Sequence, residues 1–590
     1  MTSVTSSADD APTRASGYDL DTWFQRLAII TVTLAMLLLI VAPLAVMFVR
    51  SFSSNEGSYV GLANFTRYFR DPAMQQSLLN TLILGFVTMF VTVSLALPYA
   101  YAVTCSRMPF RKLFLALAML PLYAPTMLYG LGLYSLFGTQ GAFTTGLFNR
   151  IHLHLSLPIH GLTGIILSEV LATFPPAVLI LTVSLSHRDR RLYEAAASMG
   201  ASTFRTFRVI TLSTCRVGLI SAASIAFVLA TTDYGAPAML AERTNVLALD
   251  IAQKALAVDS DQSLSATINL VLLIPTVVAS AIQMAMRRRQ NAALTAKSVP
   301  MIAEQNVTRD SLLFIYCTLV AGAILLVTLA PLLITFASTW PYSLYPKSAS
   351  AFSLNNFNFD AVGDATGGGI DAYWNSLIVA GLTALVGTLF SFIAAYLIER
   401  TRPLHVLRRI ARAIAIIPLG LPGMVLGLSY VLIFNPLKWG PIPNPVQGLY
   451  NTIAILILCN VIHYLGVSFL TASAAITQLD HEFEQVAQSM AVPAWRLFLR
   501  VTVPVCTPAI IEIAMYYFVS AMTTVSAVIF LVSPRTPLAS VAIVNLKDAN
   551  LGPAAAMAVL VLLSNIIVRA LVEPIQRYFH RRTQSWQAPP

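Results

Sequence analysis

Apolar residues in this chain come in long unbroken runs, such as Ile29 to Val49, separated by shorter polar stretches. A helix needs about 20 such residues to cross the hydrocarbon of a bilayer. Backbone groups in lipid must pair within the segment, so a span is a helix or part of a closed barrel. Barrel strands would be short and alternating, and these runs are neither. The pattern predicts twelve transmembrane helices over 26–49, 78–104, 113–138, 161–186, 217–239, 264–286, 311–338, 374–399, 411–435, 450–474, 509–532 and 554–575. The fold class is therefore an all-α polytopic membrane protein.

Composition narrows the function. Of 590 residues, 57% are apolar and 11% charged, against roughly 45–50% and about 25% in soluble domains. That excludes a soluble enzyme, a nucleic-acid binder and a disordered scaffold. The net charge of +11 reads as Lys and Arg retained on the cytoplasmic side. With the N-terminus placed inside, 27 of the 37 basic residues fall on that side, which puts both termini in the cytoplasm. Trp340, Tyr342, Tyr345, Tyr373 and Trp374 then gather at outer span ends, where interfacial aromatics belong. Residues 1–25 form a polar tail without a signal-peptide pattern. Residues 26–289 and 311–576 form two transmembrane domains, 290–310 a polar cytoplasmic linker and 577–590 a second tail. Cys105, Cys215, Cys317, Cys459 and Cys506 form no C-x-x-C pair and read as small buried hydrophobes.

The two domains repeat one another. Each has an even number of spans, so the halves are parallel, related by an axis along the membrane normal. Asn64-Phe65 recurs as Asn356-Phe357, and Asn80-Thr81-Leu82 as Asn375-Ser376-Leu377. The loops after the fourth span of each half align without a gap at an offset of 291. Asp189 meets Asp480, Ala196 Ala487, Ser198 Ser489, Met199 Met490, Arg205 Arg496, Phe207 Phe498, Thr211 Thr502 and Cys215 Cys506. That register is an internal duplication.

In the first loop, Leu192, Ala195, Ala196 and Met199 fall at i, i+3, i+4 and i+7; Phe483, Val486, Ala487 and Met490 do so in the second. This is one stripe of a helix. Gly200 permits a turn after it, and Pro493 can open a second short helix. An apolar stripe with Phe204, Phe207, Trp495 and Phe498 calls for a partner. A headgroup-bound amphipathic linker is the alternative for one copy. Two copies in register imply a partner with two equivalent faces.

Glu194-Ala195-Ala196, then Gly200, Ile210 and Leu212, resembles the Glu-Ala-Ala loop of permease subunits of ATP-binding-cassette importers. The resemblance covers both halves and implies the type I importer permease architecture. The family pattern ends in Pro, which the second loop keeps as Pro504 while the first has Ser213. The second loop carries Gln485-Val486-Ala487 instead of Glu-Ala-Ala, and Ala491 instead of Gly; Glu484, one residue early, is the candidate substitute for the acid. The resemblance implies that both loops dock in grooves of a separate ATPase dimer, whose ATP-Mg drives rocking of the spans. It also implies a periplasmic solute-binding protein and a bacterial inner-membrane location. The chain has no Gly-Lys dipeptide and hence no phosphate-binding G-x-x-x-x-G-K-[ST] loop. It is expected to be a transport subunit without catalytic residues, metal or cofactor of its own.

Ionisable groups at membrane depth are expensive and mark candidate sites. Glu169, Asp233 and Glu512 fall in predicted spans, with an interfacial position the alternative for Glu512 near the start of span eleven. The repeat aligns Asp233 with Thr524 and Glu169 with Asn460. Thr232, Thr523 and Ser526 complete a candidate substrate path, against the alternative of plain helix–helix hydrogen bonding. An acid opposite Thr suits a cationic or zwitterionic solute. His152, His154 and His160 share an outer loop, but with no carboxylate among them they read as surface histidines rather than a metal site. Ala521 to Leu531 and Leu538 to Asn545 resemble the ferric-iron and 2-aminoethylphosphonate importer group, with a lesser likeness to thiamine importers. On that resemblance the expected solute is 2-aminoethylphosphonate, with ferric iron as the alternative. Competing classes are an ATP-independent secondary transporter with two parallel six-span halves and a membrane-embedded enzyme. The paired loops argue against the first; no nucleophile lies beside a base, and no ligand cluster is evident, to favour the second.

Overall fold

The computed structural model describes residues 15–583 apart from 151–154, 156, 158, 187, 243, 258–260, 294–305, 346–351, 360–368, 436–437, 440–441, 481 and 491. His152, His154 and Ala491 thus lie outside the described residues. The regular structure among the described residues is helical apart from one short antiparallel pair, Lys438–Trp439 with Ile442–Pro443, and two isolated bridges, Ser53 with Tyr59 and Ala337 with Phe352.

Eight predicted spans are single helices: Asp21–Ser51, Pro72–Cys105, Leu162–Ser186, Phe204–Thr232, Gln262–Met286, Val307–Phe336, Gly369–Arg400 and Leu551–Phe579. The other four are bent pairs. Arg111–Tyr123 meets Thr126–Phe137 at 103°, His405–Gly420 meets Gly423–Phe434 at 114°, Ile453–His463 meets Leu465–Thr477 at 55°, and Ala494–Val505 meets Thr507–Thr523 at 76°. The third and ninth spans, predicted as single helices, are therefore elbows. Proline causes both. Pro125 and Pro422 remove a backbone donor and push the preceding residue out of the helical region. Ala124 accordingly has ψ 146° and Leu421 ψ 123°.

The first span of each half packs on the other half. Asp21–Ser51 lies against His405–Ile416, Gly423–Phe434 and Gly369–Arg400, while Val307–Phe336 lies against Pro72–Cys105, Arg111–Met119 and Thr126–Phe137. A five-residue π-helical stretch, Leu37–Val41, interrupts the first span. Such bulges free a carbonyl from the helix ladder, and here Leu39 accepts a 3.0 Å bond from the Tyr430 hydroxyl of the opposite half.

The short sequence repeats are structural tethers. The Asn64 side-chain amide donates to the carbonyls of Ser51 and Ser53, both at 2.9 Å. Asn356 likewise reaches Ile334, Thr335 and Ala337 at 2.9–3.2 Å. Asn80 donates to the Asn245 carbonyl at 2.9 Å and Asn375 to that of Pro537 at 3.2 Å. The next hydroxyl accepts a helix-opening N–H in each half: Thr81 from Leu247 at 2.9 Å and Ser376 from Ala539 at 2.8 Å. These bonds fix the loops and short helices Leu247–Leu256 and Ala539–Ala549, which follow spans five and eleven.

Candidate functional site: paired docking loops and the cavity between the halves

Both loops fold as the spacing predicts, and their hydrogen bonds superpose at the 291-residue offset. Asp189 caps its helix by accepting from Arg191 N at 3.0 Å; Asp480 accepts from Glu482 N at 3.0 Å. A side-chain cap of this kind satisfies one of the orphan donors of a helix start. The helices are Arg190–Ser198 and Glu482–Ser489. Ser198 bonds back to Ala195, and Ser489 to Val486, both at 2.8 Å. Ala201 N donates to Ala196 at 3.0 Å and Val492 N to Ala487 at 2.8 Å. With Gly200 at φ +70° and its N–H on Ala197 at 3.0 Å, the first helix closes in a Schellman turn. Each loop then enters its span through a π-helical stretch, Phe207–Thr211 and Phe498–Thr502.

The predicted apolar stripe divides between two faces. Leu192, Met199 and Phe204 in the first loop, and Phe483, Val486, Met490 and Trp495 in the second, are exposed; so are Ala195 and Gln485. Ala196 and Ala487 are buried. Phe207 and Phe498 are half-buried against Tyr101 and Tyr396, with ring centroids 5.8 and 4.6 Å apart. Glu194 is exposed and pairs with Arg190 at 2.6 Å, an arrangement of little energetic weight. Glu484 differs from the expectation that it replaces this acid. It occupies the place of inward-facing Tyr193, and its Oε1 lies 2.9 Å from Arg400 Nη1, whose side chain is 2% exposed. The residue opposite Glu194 is Gln485, so the second loop presents an amide where the first presents a carboxylate.

A cavity of about 1240 Å³ lies between the halves. Glu169, Thr232, Asp233, Thr523, Thr524 and Ser526 line it, joined by Thr126, His463 and Tyr464. Asn460 is fully buried and is not among the lining residues, so the repeat partner of Glu169 does not face the cavity. Spans five and eleven end as helices at Thr232 and Thr523, short of the predicted 239 and 532. The chain turns extended at Asp233 and Thr524, and this break aims both at the cavity. Asp233 Oδ1 accepts from Thr126 Oγ1 at 3.1 Å and Oδ2 from Ala236 N at 2.8 Å. The Glu169 carboxyl interacts with that of Asp233, and its buried Oε1 has no hydrogen-bond partner.

The cavity opens toward the face that carries the two repeated loops. Glu169 lies seven residues, about 10 Å, into its helix from the opposite face. Gln283, Gln478, Arg569, Glu573 and Arg577 line the wall nearer the loop face. Glu512 is exposed on the wall. Arg569, Glu573 and Arg577 were not anticipated, although their i, i+4, i+8 spacing is the signal of one helix face. Of the three loop histidines, His160 is described; its Nδ1 meets Glu242 Oε1 at 2.7 Å. Among the described residues no group of three His, Cys, Asp or Glu side chains is arranged to hold a metal ion.

Comparison with known proteins agrees with this architecture. The family of binding-protein-dependent transport system inner membrane components matches twice, over 102–292 and 387–583. The ferric transport system permease protein FbpB of Actinobacillus pleuropneumoniae is 25% identical over 550 residues, covering 90% of this chain and 75% of that relative. A putative ferric transport system permease protein, FbpB 1 of Haemophilus influenzae, is 24% identical over 526 residues, 86% of this chain and 78% of its own. The spermidine/putrescine transport system permease protein PotB of Haemophilus influenzae is 25% identical over 206 residues, 34% of this chain and 71% of its own. Duplicated loops, a cavity between parallel halves and a doubly matching family model converge: the chain is a multi-pass membrane protein that belongs to the binding-protein-dependent transport system inner membrane component family, with both permease halves fused in one polypeptide.

Proposed function

We propose that this chain is the gate of an importer driven by a separate ATPase dimer. Each ATPase subunit seats one docking helix, with ATP-Mg bound on the motor and none on this chain. In this reading the loop face and both termini are cytoplasmic, the membrane is the bacterial inner membrane, and a solute-binding protein delivers cargo on the opposite face. The single observation that carries the proposal is the pair of docking elements built from the same hydrogen bonds 291 residues apart, on the face toward which the cavity opens. The exposed apolar side chains suit a groove, and Glu194 suits a basic partner.

The solute proposed is ferric iron. Glu169 and Asp233 form an acidic floor in one half, faced by Thr524 in the other, and relatives of nearly full coverage carry ferric transport names. 2-Aminoethylphosphonate is the second reading, favoured by the fit of an amine to the same two carboxylates. ATP-dependent, vanadate-sensitive uptake into proteoliposomes holding the chain, ATPase and receptor tests the motor. Uptake driven by a proton or sodium gradient alone would reject it. Competition between ferric ion and 2-aminoethylphosphonate for receptor-dependent uptake separates the two solutes.

A further inference from the structure

Charges tie the second docking helix into the membrane bundle. Arg400 ends the eighth span; besides Glu484, its guanidinium donates to the carbonyls of Ile476 and Leu479. One planar group thus holds both the docking helix and the end of the tenth span, a geometry that Lys could not reproduce. One turn earlier on the same span, the Tyr396 hydroxyl donates to the Ala494 carbonyl at 3.4 Å. Ala494 N in turn donates to Asp21 Oδ2 at 3.2 Å, while Gln25 Nε2 holds that oxygen at 3.0 Å. Asp21 begins the first span, which belongs to the opposite half. The Ala494–Val505 helix is therefore capped by a carboxylate from across the pseudo-twofold.

The first half carries no charge at the positions matching Arg400 and Glu484, although Arg309 of the seventh span and the buried Arg188 stand near Tyr101 and Cys105, and Asp310 accepts from Arg107 N across the pseudo-twofold at 3.3 Å. Pairing Tyr101 with Tyr396, which continues the 295-residue register of Asn80 with Asn375 and places both rings against Phe207 and Phe498, puts Cys105 where Arg400 stands. Tyr193 holds the place of Glu484. Its hydroxyl bonds to Thr211 Oγ1 at 2.8 Å within the loop, and Arg188 lies 5.6 Å from its ring centroid.

We propose that Arg400 is a positioning residue of the transport cycle: its pairing with Glu484, together with the Asp21 cap on Ala494, is a brace that carries movement of the second docking helix into spans eight and one. The second loop, without the Glu-Ala-Ala acid, transmits through this internal brace, whereas the first transmits through Glu194 at the motor surface. This inference rests on the motor-driven reading above.

The test uses the chain assembled with its ATPase and receptor in proteoliposomes, reading solute taken up per ATP hydrolysed. Arg400→Gln breaks the brace. Glu484→Gln loosens it and leaves the carbonyl acceptors of Arg400 in place, so it covers the case in which the first variant folds poorly. At least a fivefold fall in uptake per ATP is expected in both, with the ATPase still copurifying with Arg400→Gln and no change in Cys105→Ser. A merely structural role would lower uptake and hydrolysis together; an unchanged ratio in Glu484→Gln, whatever the abundance of Arg400→Gln, overturns the brace. Glu194→Arg separates the two levels. If it releases the ATPase while the brace variants keep their ratio, the brace alone fails. If it too changes nothing, the motor-driven reading fails.

Discussion

Asp233 and Thr524 end their helices with the same backbone geometry, φ −70° and ψ 139° in each. They stand 291 residues apart, and both line the cavity. The backbone has kept its symmetry while the side chains have lost it. Thr232 and Thr523, the preceding residues, also match: each hydroxyl bonds back to a carbonyl four residues earlier, at 2.9 and 3.0 Å.

Asp233→Asn removes the charge and leaves a side-chain oxygen to accept from Ala236 N. Uptake by the reconstituted complex is expected to fall at least tenfold with unchanged abundance and ATPase copurification. Unchanged KM and kcat for uptake would reduce Asp233 to the cap of helix Gly235–Leu240.

Glu169→Gln tests the second acid. A buried carboxyl beside another carboxyl, with one oxygen unpartnered, is a burden on the fold. The amide is expected to leave the thermal midpoint in detergent equal or a few degrees higher, while cation uptake falls. A lowered midpoint would show that the carboxylate supports the structure.

Glu194→Arg places like charge beside Arg190, and the exposed i,i+4 pair it breaks is worth about 0.3–0.5 kcal/mol. The permease should therefore reach the membrane at normal levels while ATPase copurification drops severalfold. Gly200→Trp leaves its Cβ in open space, yet the positive φ costs a non-glycine residue roughly 1–2 kcal/mol. It is expected to disturb the turn and the docking without unfolding the bundle. Normal copurification in both variants would count against the docking role.

Thr81→Val deletes the acceptor of the buried Leu247 N–H. The expected penalty is about 1–3 kcal/mol, read as a lower thermal midpoint with no change in ATPase binding. Ser376→Ala should cost a similar amount through Ala539 N, and the two losses should add because the sites lie in separate halves.

The apolar runs made the spans legible, and the register of Asp189 with Asp480 made the paired loops legible, although their capping role came only from the structure. Periodicity was less informative about orientation. Ala196 and Phe207 belong to the predicted stripe but turn toward the bundle, because the Schellman turn and Tyr101 claim them. The elbows at Pro125 and Pro422 were concealed by apolar runs long enough to read as single spans, although the prolines stood in plain view. The inward turn of Glu484 follows from its register with Tyr193 rather than Glu194. Asn460 shares the register of Glu169 but not its outlook onto the cavity. The packing of each first span on the opposite half has no sequence signature, since hydropathy carries no partner information.

Fusion gives the acidic floor a fixed stoichiometry. A symmetric pair of first halves would bring four carboxyls together at the centre, and a pair of second halves would bring none from these positions. One continuous polypeptide guarantees that a single Glu169–Asp233 couple always meets a hydroxyl-bearing counterpart. Gene duplication followed by divergence has thereby made the cavity lopsided, which two identical subunits cannot achieve.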